Sequence, residues 1–408
     1  MEVVHERCCG IDVHQASLAV CVSIKEPATT EKHKLRCGTT TAELLRLSDW
    51  LREHGVTHVA MEATGVYWKP VWHVLEGQFE LLLANPAQVK ALRGRKGDFR
   101  DGDRIADFHQ HGLLHGSFVP PLPIQQLRDL TRSRTVLKQE QARISNRILK
   151  VLEDANVKLS SVLSNVMGVS GRAMLRAIID GNSEAAELAQ LARGRLRGKI
   201  PVLEAAARGS LQEHHRFLIE QWLGMWDELA VRISNFEQRI EEQMRPFEAA
   251  VATWASLPGI DRVTAWTLVA ELGADMRQFP SGAHAASWAG LCPGQEESAG
   301  KRHSGRTRQG NVWLRRALTQ AAWGASVTKE SYFKAFYHRL APRKGKKRAI
   351  VAVAHSLFIT GYTLLCTGRR FEDLGRDYFD RLDQERLTKN LVRRLERLGH
   401  KVSLQPAA

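Results

Sequence analysis

Four carboxylates in the first quarter of the chain, Asp12, Glu62, Asp98 and Asp101, are spaced as a metal-dependent site for phosphodiester chemistry would need them. Asp12 closes the small-residue approach GID and opens an apolar alternating run, ASLAVCVSI, which predicts a strand with the acid at its start. Glu62 follows a second strand-like run, VTHVAME. Asp98 and Asp101 lie three positions apart in KGDFRDGDRIADF, so a helix starting there puts both on one side. Oxygen ligands on one face suit a hard cation. Magnesium takes carboxylates, retained waters and phosphate oxygens, and two such ions clamp both the attacking and the leaving oxygen of an in-line displacement. Singly, each acid has a plainer explanation as a strand terminator or a complement to a helix dipole. The order of two strand acids followed by a helical pair is what points to chemistry.

Residues 1 to about 120 must supply the elements that hold these acids, and they alternate strand-like runs (ASLAVCVSI, VTHVAME, FELLLA) with a helical one (TTAELLRLSDWLREHG), an α/β pattern. The FVPPLP stretch is a natural boundary. Beyond it Leu130, Leu137, Ile144 and Val151 recur every seven residues, and Trp222, Trp226, Leu229, Ile233, Phe236 and Ile240 alternate spacings of four and three. Both segments predict long helices with coiled-coil seams, and an aromatic stripe at that spacing belongs to a core or dimer interface, so these residues receive no chemistry. Pro246 and the LPGI turn end this region, which divides the chain into parts 1–122, 123–246 and 247–408.

The third part opens with SLPGIDRVTAWTLVAELG, which has the outline of a helix-hairpin-helix whose turn presents amides to a phosphate. Asp261 stands where such hairpins have a second glycine, so a purely structural hairpin is the competing reading. Downstream, WAGLCPGQEESAGKRHSGRTRQGNVWLRRAL predicts a loop rich in Gly, Ser and basic residues feeding an amphipathic helix. It is not a P-loop, because Arg302 follows Lys301 where Ser or Thr should stand.

A length of 408 residues with 43% hydrophobic content calls for two or three domains. The sequence contains no uninterrupted apolar run near the roughly 18 residues of a membrane span, and MEVVHERCCG lacks the apolar core of a signal peptide, so the expectation is a soluble, intracellular protein. Cys8, Cys9, Cys21, Cys37, Cys292 and Cys366 form no CxxC pair and are expected as reduced thiols. The net charge of +15 is one-sided: from Lys301 onward there are 24 Lys and Arg against 8 Asp and Glu, whereas the first 300 residues hold 35 against 36. Such a footprint releases counterions from a polyphosphate, and it selects Lys301, Arg302, Arg306, Arg308, Arg315 and Arg316, with Arg343, Lys344, Lys346, Lys347 and Arg348 of APRKGKKR, as nucleic-acid contacts. For APRKGKKR a merely solvated loop is the alternative.

GIDVH, MEATGVYW, KGDFRDGDRIADFHQHGLLHGSFVP, LPGIDRVTA and AGLCPGQEESAGKRHSGRTRQGN together resemble the DEDD-type transposases of bacterial insertion sequences, specifically the insertion-sequence-110 family and its 1111 branch. The resemblance spans the N- and C-terminal parts; the middle is similar in pattern. It implies an α/β RuvC-like (RNase H-like) N-terminal domain, a helical coiled-coil middle and a mainly α-helical C-terminal transposase domain, the first and last meeting across subunits. Carried over by motif, Asp12 of GIDVH, Glu62 of MEATG, and Asp98 and Asp101 of KGDFRD become a metal-binding tetrad for Mg2+, and Ser298 of ESAGKR matches the serine that attacks the DNA backbone, with Lys301, Arg302 and Arg306 beside it to stabilise the transition state. The family places alanine after the last acid, whereas this chain reads Asp101, Gly102, Asp103; the shared helical face with Asp98 selects Asp101 over Asp103. The implied partners are donor and target DNA, a guide (bridge) RNA and further copies of the chain, with no membrane, in the bacterial cytoplasm at the nucleoid. Two rival readings remain open: a RuvC-like structure-specific nuclease with no covalent step, and a non-enzymatic coiled-coil nucleic-acid-binding protein.

Overall fold

The computed structural model describes residues 2–27, 29–62, 65–86, 89, 98–294, 296–298, 301–304, 306–307 and 310–405, with backbone alone for 98–101, 296–298 and 301–304. The chain forms two compact units, 1–120 and 121–408, divided within FVPPLP.

The first unit is built on a five-stranded sheet in the order β3-β2-β1-β4-β5. Strands β1 (Arg7–Val13), β2 (Ser17–Lys25) and β3 (Thr30–Gly38) form an antiparallel meander, and β4 (His58–Glu62) and β5 (Glu80–Ala84) continue it in parallel with β1. The period of two sorts β1 cleanly. Cys9, Ile11 and Val13 join Val59 and Met61 in the core under α1 (Thr41–Glu53) and α2 (Trp68–Leu75). On the opposite face lies α3 (Asp98–Gln110), packed so closely that a Cβ on Gly10 would stand 2.3 Å from the Ala106 nitrogen, and one on Gly102 2.6 Å from the Ala19 carbonyl. Two glycines therefore let the helix backbone rest on β1 and β2. The outer strand β3 is absent from the sequence reading because its residues, TEKHKLRCG, are those of a charged edge strand.

In the second unit, α4 (Leu122–Asp154) and α9 (Glu213–Met244) run antiparallel. Arg134 pairs with Glu237 at 2.5 Å, Trp226 Nε1 donates to Ser145 Oγ at 3.1 Å, and His215 meets Asp154 at 3.2 Å, so numbers rise on one helix as they fall on the other. The two long helices thus pack against each other within the chain. Trp222 and Trp226 lie under the guanidinium groups of Arg147 and Arg172. At one end of the pair, Ile144, Ile148, Leu152, Ile219 and Leu223 share a core with the short helices α5 (Leu159–Val162), α6 (Val169–Ile179), α7 (Ala185–Gln190) and α8 (Ile200–Ala207).

At the other end, Ile124, Leu127, Ile240 and Met244 enter the core of the C-terminal helices. These are α10 (Glu248–Ala255), α11 (Arg262–Leu272), α12 (Gly282–Trp288), α13 (Val312–Val327), α14 (Tyr332–Lys344) and α15 (Lys346–Thr367), gathered around Trp254, Phe333 and Phe358. Between α12 and α13 the predicted loop contains a two-stranded hairpin, β6 (Glu296–Ser298) and β7 (Lys301–Ser304). Helix α15 has the length and apolarity of a membrane span, its most apolar 18-residue stretch having a mean hydropathy of 1.8. Its Ile350, Val353, Leu357 and Phe358 are spent on this core. Two short helices, α16 (Tyr378–Leu382) and α17 (Gln384–Arg397), follow.

Candidate active site

Asp12 ends the β1 face that carries Cys8 and Gly10, and Glu62 ends the β4 face that carries Ala60. The parallel register pairs Gly10 with Ala60 and Ile11 with Met61, so the next step sets Asp12 and Glu62 side by side, one strand spacing of about 4.8 Å apart, on the face covered by α3. Asp12 is 7% exposed, and His14 Nε2 stands 3.1 Å from its Oδ2.

Helix α3 crosses this face head to tail with β1: Gln110 accepts from the Val4 amide at 2.8 Å, Cys8 Sγ reaches the Ala106 carbonyl, and Gly10 abuts Gly102. Its first turn, Asp98 to Asp101, consequently lies past Gly10 at the Asp12 end. The backbone brings all four acids to one end of one face of the sheet; the side chains of Asp98 and Asp101 lie outside the described residues. Along α3, positions 98 and 101 share a face with Ile105 and Phe108, which pack with Ala60 and Ala84 of the parallel strands.

Asp103 is engaged elsewhere. Lys32 and Lys34 of β3 bind its carboxyl at 2.5 and 2.8 Å, and Lys32 also binds Asp107 at 2.6 Å. Burial works against the Asp103 charge, yet the two ammonium groups outweigh it and hold the carboxyl below its ordinary range. The extra acid that clouds the motif is thus a clasp between helix and edge strand.

Ser298 ends β6 of the hairpin. Glu296 pairs with Ser304, Glu297 with Arg302, and Ser298 with Lys301. The base is fixed by the Gly294 amide donating to the Arg306 carbonyl at 2.6 Å, by the bridge between Pro293 and Thr307, and by Gly310, whose Cβ would meet the Gly290 nitrogen at 2.3 Å. A sequence of Gly, Ser and basic residues carries no alternation that would announce such strands. The side chains of Ser298, Lys301 and Arg302 lie outside the described residues, as does Arg308 altogether.

Arg306 and Arg316 are exposed and Arg315 is half-buried on α13. Arg343, Lys344, Lys346, Lys347 and Arg348 are all exposed, and they belong to the abutting ends of α14 and α15 around Gly345, so APRKGKKR is helical where the alternative reading expected a loop. In the hairpin-like turn LPGID, Gly259, at φ +79°, is pressed onto the Ala321 carbonyl of α13, and Asp261 Oδ1 accepts from the Thr264 amide at 2.8 Å as the N-cap of α11. All six cysteines are free, and burial pushes the thiols of Cys8 and Cys21 up to about 12.

Sequence reasoning passed over Glu271. This carboxylate is wholly buried on α11 and bound by Arg132 and Asn311. Its setting, VAELG, reads as ordinary helix, and its partners are 139 and 40 residues away.

A mixed five-stranded sheet followed by a mostly helical unit with a basic C-terminal part is consistent with a transposase of the DEDD type. The DEDD transposase profile of the IS110 elements matches residues 9–157, and the profile of the Transposase IS116/IS110/IS902 family matches residues 252–338, together more than half of the chain. The chain belongs to the IS110 family of transposases. A family 20 transposase of Pseudomonas aeruginosa is 24% identical over 280 residues, 68% of this chain and 73% of its own length. The insertion element IS110 43.6 kDa protein of Streptomyces coelicolor is 26% identical over 254 residues, 58% of this chain and 62% of its own. A transposase, y4pF/y4sB, of Sinorhizobium fredii is 28% identical over 185 residues, 44% and 47% of the two chains.

Proposed function

We propose that the protein cuts and rejoins DNA as the recombinase of an insertion sequence, of the 1111 branch, with Asp12, Glu62, Asp98 and Asp101 as a divalent-metal site and Ser298 as the nucleophile. The observation that carries this reading is the gathering of four acidic positions at one end of one sheet face, contributed by β1, β4 and the first turn of α3. Hard carboxylate oxygens fit Mg2+, which when bound would polarise the scissile phosphate and neutralise charge developing on it. Ser298 forms the new bond from its Oγ to phosphorus while the bond from phosphorus to the sugar oxygen breaks, and that oxygen leaves with a proton. The phosphoserine link keeps the phosphodiester energy for rejoining. Lys301, Arg302 and Arg306 stabilise charge on the transferring phosphate, and Arg315, Arg316 and the basic ends of α14 and α15 hold the backbone of the nucleic acid. Donor and target DNA, an element-encoded guide RNA and additional copies of the chain complete the reading, with the action placed in the bacterial cytoplasm.

Two experiments test it. Asp12→Asn and Glu62→Gln should each lower strand cleavage by at least a hundredfold while DNA affinity stays within about threefold, since a ligand is lost and the basic surface is not. Near wild-type cleavage in either variant removes the metal site from the mechanism. In denaturing gels, labelled DNA should remain attached to the parent chain and to nothing in Ser298→Ala; an adduct that persists without Ser298 leaves a metal-dependent nuclease with water as nucleophile as the surviving interpretation.

A further inference from the structure

Glu271 carries its charge into a place that is 0% exposed. Arg132 of α4 grips both carboxylate oxygens, Nε to Oε1 at 2.7 Å and Nη2 to Oε2 at 2.8 Å, and Asn311 Nδ2 donates to Oε2 at 2.5 Å. Arg128, one turn earlier on α4, donates from Nε to the Ala270 carbonyl at 3.0 Å and from Nη2 to the Glu271 carbonyl. A buried ion pair of this kind adds little stability over well-packed apolar residues, so what distinguishes it is the geometry it enforces. That geometry concerns Asn311. Its Oδ1 caps α13 by accepting from the Trp313 and Leu314 amides, both at 3.0 Å, and its own amide donates to the Trp288 carbonyl at 3.1 Å. Asn311 is therefore the residue at which the excursion bearing β6 and β7 ends and the rigid helix begins.

We propose that Glu271 is a positioning residue for Ser298: through Asn311 it locks the base of the β6–β7 hairpin to the long helix α4. The proposal rests on Ser298 being the nucleophile. Glu271 acts at a distance from the reacting atoms, through the anchorage of the loop that carries them. A reacting serine on a short hairpin needs such anchorage, because a misplacement of about 1 Å is enough to cost on the order of a hundredfold in rate.

Asn311→Ser isolates the link, since serine caps a helix about as well as asparagine but is too short to reach Glu271. Glu271→Gln keeps the shape and removes the charge. In the full-length chain both variants should speed amide hydrogen exchange at least tenfold over residues 290–311 and slow formation of the covalent DNA adduct at least tenfold. Asn311→Ser should melt within a few degrees of the parent and bind DNA as tightly. The proposal is overturned if exchange in the hairpin is unchanged in both variants, if it quickens evenly through the C-terminal core as general destabilisation would make it do, or if Asn311→Ser forms adduct at the parental rate with its hairpin loosened. Ser298→Ala, assayed alongside, keeps the two readings apart: an adduct without Ser298 defeats the nucleophile assignment, while the exchange measurement still decides whether Glu271 holds the hairpin.

Discussion

Asp101 and Asp103 stand two positions apart on one helix and face different surroundings. Asp103 is clasped by Lys32 and Lys34 on β3, whereas position 101 shares the helical face of Asp98 and Ile105 at the Asp12 end of the sheet. Asp103→Ala should therefore leave cleavage within about threefold and lower stability by about 0.5–1 kcal/mol, the value of a partly exposed ion pair. Asp101→Ala should abolish cleavage without lowering the melting temperature; cleavage lost in the Asp103 variant alone would show that the fourth ligand is misassigned. Residue chemistry was legible here to an uneven degree. The order of two strand acids and a helical pair could be read from GIDVH, MEATG and KGDFRD because strands and helix starts leave periodic traces. His14 beside Asp12, the lysine clasp on Asp103 and the buried Glu271 could not, because their partners come together only through the fold.

At the scale of elements, the placement of α3 governs the acidic end of the sheet. Gly102→Ala would put a methyl group 2.6 Å from the Ala19 carbonyl, and backbone has nowhere to retreat. Overpacking of this kind should cost about 1–3 kcal/mol and lift the helix that bears Asp98 and Asp101, so cleavage should fall further than stability. Unchanged melting and cleavage would mean that the helix rests less closely on the strands. The other end of α3 responds to acid. His109 is 3% exposed; burial, reinforced by the neighbouring imidazoles of His5 and His58, lowers its pKa to about 4. Glu80 pairs with His58 at 3.0 Å. A depressed histidine binds its proton in the unfolded chain first, so the first unit should lose about 1.4 kcal/mol per pH unit as pH falls from about 6.5 to 4, and nothing above that range. His109→Gln should flatten that slope in acid melts, and a slope that stays would point to other groups. Elements with strong periodicity, β2, β4, β5, α1 and the two long helices, were readable in advance. The edge strand β3 and the hairpin β6–β7 were not, since charged or glycine-rich strands leave no alternation, and a periodic helix face does not reveal which element it packs against.

For the whole molecule, charge and length are the two quantities that matter. The excess of positive charge after residue 300 emerges on exposed helix ends at Arg343, Lys344, Lys346, Lys347 and Arg348. Replacing these five together with Arg316 by glutamine should weaken DNA binding across sequences and reduce the slope of log affinity against log salt by about 0.7–0.9 for each phosphate that is no longer neutralised. A salt slope identical to the parent's would show that this surface does not meet phosphate. The paired helices α4 and α9 join one core near the serine hairpin to a second core that takes in Ile144, Ile148 and Leu152. With 33 residues at 1.5 Å each, α4 is a rod of about 50 Å, comparable to some fifteen stacked bases at 3.4 Å. Deleting seven residues from each helix, close to two full turns, would keep the facing side chains nearly in phase and move the far core inward by about 10 Å, or three base steps, whereas deleting two would swing one core well away from the other.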